Sequence, residues 1–207
     1  MDATQILGEF KFVPVVVLDD AENAVPLAKT LLESGVRVME ITLRTDDGLK
    51  SIERVARDVP EMVVGAGSLR TADHFAKVAN AGAKFAVSPG ASLALCAAAS
   101  EYRIPFIPGA ATASEMIVLL ERGYHLQKFF PAEASGGLNF LKSVSSPIPD
   151  VWFMPTGGIT VNNAPDYLAL PNVSVVGGSW VTPPVLLANK DFMAIATLAK
   201  EALQTCV

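Results

Sequence analysis

The stretch VMEITLRT, residues 38–45, decides how the rest of the chain is read. With period two, Met39, Ile41 and Leu43 fall on one side of a strand, and Val38, Glu40, Thr42 and Arg44 on the other. The first side is apolar throughout. The second carries a carboxylate, a hydroxyl and a guanidinium inside a run apolar enough to be buried, and what they do there is the question the sequence poses.

Outward from this strand, short β-branched runs recur at residues 12–18, 38–43, 62–66, 85–88, 104–108, 126–129, 152–156 and 173–177, roughly two dozen residues apart. Helical patterns fill the intervals at 21–34, 47–58, 71–80, 92–100 and 113–122, with a last one at 191–204. Gly35, Gly82 and Gly123 stand where helices end and a left-handed residue is needed. Eight βα units in 207 residues predict a (β/α)8 TIM barrel, an α/β fold, as a single domain over residues 1–207. No Pro, Gly or Ser stretch is long enough to link two domains. An open doubly wound sheet is the alternative. Against it, no GxGxxG follows the first strand, and the glycine pairs come late in the chain.

Composition removes several classes of function. Apolar residues make up 51% and charged residues 18% of the chain, which describes a packed core rather than disorder. The longest apolar runs, FVPVVVL and LALCAAA, fall far short of the roughly 20 residues of a spanning helix, so no membrane role is expected. The opening MDATQILGEFKF lacks the basic flank and apolar core of a secretory signal, and a cytoplasmic location is expected. Cys96 and Cys206 are too few and too far apart for a disulfide framework and are read as reduced thiols. A net charge of −5 without a basic cluster gives no support to nucleic-acid binding. His74 and His125 have no metal-ligand spacing, and neither a metal nor a cofactor is expected.

In a barrel, chemistry sits at the carboxyl ends of the strands. Glu40 and Arg44 lie on the second strand, about 13 Å apart at about 3.3 Å per residue, so they are not an isolated ion pair; each has either a structural partner or a ligand. Ser68 follows the third strand in GAGSLRT. Lys128 shares its strand face with Leu126 and Phe130, and is either a solvated strand-end lysine or an imine-forming amine. An amine attacks a carbonyl only as the free base, which burial and a nearby cation such as Arg44 favour. PTGGI and VGGSW follow the seventh and eighth strands. They offer bare backbone NH groups at Gly157, Gly158, Gly177 and Gly178 and hydroxyls at Thr156 and Ser179. Barrels often hold phosphate there, although glycines also turn tight corners.

Taken together, VPVVVL, GVRVMEITLRT, VGAGSLRT, AKFAVSPG, IPFIPGAAT, KFFPAEASGG, MPTGGIT and VGGSWVTP run in order through nearly the whole chain. In these the chain resembles the 2-keto-3-deoxy-6-phosphogluconate (KDPG)/4-hydroxy-2-oxoglutarate (KHG) aldolases. The resemblance implies a class I aldolase of the Entner–Doudoroff route that makes pyruvate from a small-molecule 2-keto acid phosphate, needs no cofactor and is usually trimeric. It implies Lys128 as the Schiff-base lysine and Glu40 as general acid/base. Arg44 and Ser68 would hold the substrate carboxylate, and Thr156, Gly157, Gly158, Gly178 and Ser179 the distal and phosphate end. Phe130 and Pro89 would line the pocket. The family commonly has threonine where this chain has Ser68. On this reading Glu40 and Arg44 face the lumen, and Met39, Ile41 and Leu43 pack outward. Two other classes remain: a phosphosugar isomerase or epimerase using Glu and Lys without a covalent intermediate, and a non-catalytic phosphometabolite-binding protein.

Overall fold

A computed structural model describes residues 3–206. Its strands are β1 (Phe12–Val16), β2 (Val38–Thr42), β3 (Val63–Gly67), β4 (Ala86–Val87), β5 (Phe106–Ile107), β6 (Gly109–Ala110), β7 (Leu126–Phe129), β8 (Trp152–Pro155) and β9 (Val176–Gly178). Its helices are α1 (Ala3–Leu7), α2 (Ala24–Glu33), α3 (Gly48–Asp58), α4 (Asp73–Asn80), α5 (Leu93–Glu101), α6 (Ala113–Leu120), α7 (Gly137–Ser145), α8 (Ala164–Leu168), α9 (Pro184–Ala188) and α10 (Phe192–Thr205). Each of the eight expected strands overlaps an observed one, with β3 and β9 each running one residue beyond the expected end. The fifth, expected to end at Pro108, holds β5, and a further strand not expected from the sequence, β6, follows directly after Pro108.

All strand pairs are parallel. Six strands lie in the order β5-β4-β3-β2-β1-β9 and three in the order β6-β7-β8. Pro108 stands where the fifth run changes partners: the Ser88 NH donates to the Ile107 carbonyl, and the Lys128 NH to the Pro108 carbonyl. Parallel bridges Phe153↔Val173 and Thr156↔Gly177 join the other margins. The result is an α/β single domain on a curled parallel sheet.

Alternation along the strands sorts side chains into two cores. Met39 and Ile41 of β2, Val64 and Ala66 of β3, and Phe129 of β7 point outward. There they meet the buried faces of the helices, such as Leu27 and Leu31 of α2 and Ile52 and Val55 of α3. The inner core is smaller: Val13, Val38, Phe85, Val87, Ile107, Leu126, Met154 and Val175, with Ala3 and Leu7 of α1 closing its lower end. Gly65 makes room for it, since a Cβ there would lie 2.2 Å from the Phe85 ring.

Local chemistry sets the helix ends. Thr112 and Glu115 form a capping box on α6, and Ser92 and Asp191 cap α5 and α10. Gly35, Gly82 and Gly123 are left-handed, with φ of 93°, 86° and 83°. Sequence reading missed α1, α7, α8 and α9. Gly136, left-handed at φ 106°, stands at the N-cap of α7. Cys96 and Cys206 are both free and buried. No helix among the described residues is long and apolar enough to cross a membrane.

Candidate active site

Two residues above the apolar plug, the inner face changes character. Val38 is followed on the same face by Glu40 and then Thr42, Leu126 by Lys128, and Met154 by Thr156. Lys128 and Glu40 come together although 88 positions apart: the lysine Nζ donates to Glu40 Oε1 at 3.5 Å, with the side chains 2% and 0% exposed. The solvated-lysine reading of the sequence therefore does not hold. Gly67 makes the space, because a Cβ there would lie 2.0 Å from Glu40 Oε1. The Lys128 ammonium position is 5.3 Å from the centre of the Phe130 ring, a cation–π distance. Glu40 Oε2 and the Thr42 hydroxyl are buried without a protein partner. Such orphans are rare enough in folded proteins to call for a functional explanation.

A cavity of about 610 Å³ shares Phe130 with this pair, although Lys128 and Glu40 are not themselves among its lining residues. Arg44, Ser68 and Pro89 form one side, at the ends of β2, β3 and β4, and Phe130 lies beyond β7. Thr156, Gly157, Gly158, Gly178 and Ser179 form the other side, at the ends of β8 and β9. Arg44 Nε donates to Ser68 Oγ at 3.1 Å. Ser68 is itself left-handed, with φ of 63°, which turns the chain as β3 ends. Every site residue singled out in the sequence thus belongs to this cavity or to the pair associated with it, except Gly177.

Gly177 corrects the reading of the second loop as wholly a phosphate loop. It faces inward against Thr156 Oγ1 and the Met154 methyl, where a Cβ would come within 2.5 Å and 2.9 Å of them. Packing also constrains Gly178: a Cβ would be 1.9 Å from the Trp180 ring, which lies across the loop. Gly157 and Gly158 are left-handed at φ 97° and 83°.

Glu133, Arg70, Ile159 and Thr182 were not singled out from sequence. The Ala132 and Glu133 NH groups donate to the Thr156 and Gly157 carbonyls at 2.8 Å and 3.1 Å, tying the PAE turn to the loop after β8. Glu133 lies against Gly158, where a Cβ would meet its Cγ at 2.5 Å, and accepts the Tyr167 hydroxyl. Burial first, and that hydrogen bond second, hold the Tyr167 phenol above its ordinary range, so it stays a donor. Thr182 is buried, lines the cavity and leaves its hydroxyl unpartnered. The signal for Glu133 was present in KFFPAE. For Arg70 and Thr182, beyond the strand ends, no periodicity exists to read. His125 faces the Asp150 carbonyl at 3.0 Å, remote from the cavity walls.

A buried lysine set against a carboxylate near the carboxyl ends of a curled parallel sheet is an arrangement suited to the lysine-dependent aldolases, whose amine forms a Schiff base with a carbonyl substrate. Comparison with known proteins narrows that class. The chain belongs to the KDPG and KHG aldolase family, whose model matches residues 3–198. It is 46% identical over 201 residues to the 2-dehydro-3-deoxy-phosphogluconate aldolase of Dickeya dadantii, covering 97% of this chain and 94% of that protein. Among solved structures it is similar to the KDPG aldolase of Legionella pneumophila, with pyruvate captured at low pH as a covalent carbinolamine intermediate. That likeness has a TM-score of 0.94 and 40% identity, over 97% of both chains. It is also similar to the 2-keto-3-deoxy-6-phosphogluconate aldolase of Zymomonas mobilis with 3-phosphoglycerate, with a TM-score of 0.90 and 40% identity, covering 96% of this chain and 93% of that one.

Proposed function

We propose that this protein is a class I aldolase that cleaves 2-keto-3-deoxy-6-phosphogluconate to pyruvate and glyceraldehyde 3-phosphate, and 4-hydroxy-2-oxoglutarate to pyruvate and glyoxylate. The observation that carries this reading is the buried Lys128–Glu40 contact of 3.5 Å. Pyruvate held covalently in the Legionella relative and a phosphorylated acid in the Zymomonas relative support it.

Glu40 stands where it can take a proton from the Lys128 ammonium and leave the free amine. The amine adds to the C2 carbonyl to give a carbinolamine, and loss of water gives an iminium. A base, assigned to Glu40, removes the C4 hydroxyl proton; the C3–C4 bond breaks, its electrons move into the iminium, and the aldehyde leaves. The enamine takes a proton at C3, and water hydrolyses the iminium to pyruvate and Lys128. The unpartnered Glu40 Oε2 is the oxygen free to move these protons while Oε1 faces the lysine. Arg44, with Ser68 supporting its guanidinium, takes the carboxylate. Thr156, Gly157, Gly158, Gly178 and Ser179 take the phosphate, and Phe130 and Pro89 form apolar walls.

The iminium supplies the electron sink, so no cofactor is needed. The curled sheet and its two bridges support a closed (β/α)8 barrel as one domain over residues 1–207. Family resemblance supports a homotrimer, a cytoplasmic location and a place in the Entner–Doudoroff route.

Incubation with pyruvate and borohydride, read by intact mass and peptide mapping, tests the reading. One reduced pyruvoyl group is expected on Lys128 and none on the Lys128→Ala variant. Stoichiometric label on that variant would remove Lys128 from the mechanism.

A further inference from the structure

Arg70 shares the cavity wall with Arg44 and Ser68. Its guanidinium makes no hydrogen bond or ion pair among the described residues, whereas Arg37, Arg54 and Arg57 are paired with Glu9, Glu22 and Asp58. Only its backbone NH is engaged, donating to His74 Nδ1 at 3.4 Å. No carboxylate lines the cavity. Asp19, Asp46 and Asp47 edge a second depression, which Arg44 also lines. Two guanidiniums therefore share one concave wall with no carboxylate in its lining and, among the described residues, no ion pair to either, an arrangement that an anion between them relieves.

The backbone aims both side chains of this segment at the cavity. Strand alternation places Gly67 against Glu40, so the next residue would ordinarily face outward. Left-handed Ser68 breaks that alternation and lines the cavity instead. Leu69 then anchors in the outer core, its NH donating to the Val87 carbonyl at 3.1 Å, and Arg70 returns to the cavity. A non-glycine residue with φ of 63° is costly backbone. Here that conformation presents a hydroxyl and a second cation on the same wall as Arg44.

We infer that Arg70 is a specificity-determining residue that grips the 2-oxo carboxylate from the cavity mouth, forming with Arg44 a two-guanidinium clamp on the pyruvate end of the substrate. This rests on the aldolase reading. It places Arg70 with the carboxylate because its strand end, after β3, lies beside that of Arg44 after β2, whereas the glycine loops follow β8 and β9. Substrates are then sorted first by the anion next to the reacting carbonyl, whatever their distal group.

The test titrates pyruvate in the presence of borohydride and reads the labelled fraction by intact mass for the unmodified protein and for Arg70→Leu, Arg70→Gln and Arg70→Lys. Melting temperature serves as the control for folding. The half-labelling concentration should rise about ten-fold in the Leu and Gln variants, with full labelling still reached at saturation, and Lys should recover most of the loss. kcat/KM for phosphorylated and unphosphorylated substrates should fall by the same factor. An unchanged half-labelling concentration in either folded variant overturns the inference, as does a loss confined to the phosphorylated substrate. Absence of label in the unmodified protein is a distinct result: it defeats the imine reading, and the clamp with it.

Discussion

The lower and upper halves of the space inside the sheet are built on the same strands and do opposite things. Below, Val13, Val38, Leu126, Met154 and Val175 interlock with Phe85 and are sealed by Leu7. Above, one alternation further along, stand Val15, Glu40, Lys128, Thr156 and Gly177. A step of two residues, about 6.6 Å of strand, converts packed hydrocarbon into a buried charged pair with orphaned polar atoms. The contrast teaches how such a pair is held. Burying charge is expensive and specifies geometry only if the neighbours cannot move. The apolar half supplies that rigidity, while Gly65 and Gly67 leave room for the Phe85 ring and the Glu40 carboxyl.

The most severe way to break the contrast is to neutralise the upper half without altering its shape. Glu40→Gln keeps the volume and loses the base, and cleavage should fall on the order of 100-fold or more, the scale of general acid/base contributions. Single-turnover kinetics on the folded variant measure it. Turnover within a few-fold of the unmodified protein would assign the proton transfers elsewhere.

The lower half should answer differently to the same kind of assault. Leu126 lies two residues before Lys128 and is 2% exposed within the inner core. Leu126→Ala should cost about 3 kcal/mol of stability, through lost transfer energy and the cavity left behind. Denaturant unfolding reads that loss. Under conditions where the variant remains folded, pyruvate should still label Lys128. If labelling vanishes while the fold persists, the two halves are not separable, and the plug tunes the chemistry directly.

How far this division was legible in the sequence depends on the residue. Period two in β2 separated Glu40, Thr42 and Arg44 from Met39 and Ile41, because one register shift would bury the wrong set. Lys128 and Phe130 were paired by the same rule. Glycines were the weak point, since a residue without a side chain announces no direction: PTGGI and VGGSW read alike, yet Gly157 and Gly158 line the cavity and Gly177 packs inward. The plug helix α1 escaped because five residues offer too little periodicity. Pro108 read as a strand end, whereas it marks the change of strand partner.

Within the upper half, the carboxylate and phosphate ends should be separable. Ser179→Asp sets a negative charge on the wall assigned to phosphate. It should lower kcat/KM for the phosphorylated substrate about ten-fold or more and spare the unphosphorylated analogue, since repulsion acts only where the second anion sits. Inorganic phosphate should compete with the phosphorylated substrate in the unmodified protein and lose that effect in the variant. An equal loss for both substrates would move Ser179 to the shared, pyruvate end.

The smallest expected effect separates backbone strain from side-chain function at Ser68. Its φ of 63° suits glycine, while its hydroxyl accepts Arg44 Nε at 3.1 Å. Ser68→Gly removes the hydroxyl and relieves the left-handed backbone; Ser68→Ala removes the same hydroxyl and keeps the strain. If the hydroxyl serves to orient Arg44, both variants should raise the pyruvate half-labelling concentration by the same factor, about three-fold for a partly exposed bond to a charged group. Their stabilities should differ by up to about 1 kcal/mol, glycine above alanine, with the glycine's greater unfolded-state entropy limiting its gain. Ser68→Thr restores the hydroxyl with a branched Cβ that tolerates positive φ poorly, so it should recover the pyruvate affinity at some cost in stability. An alanine variant that binds pyruvate as the unmodified protein does would leave the hydroxyl without a role. The left-handed turn would then serve only to bring Arg70 back to the cavity.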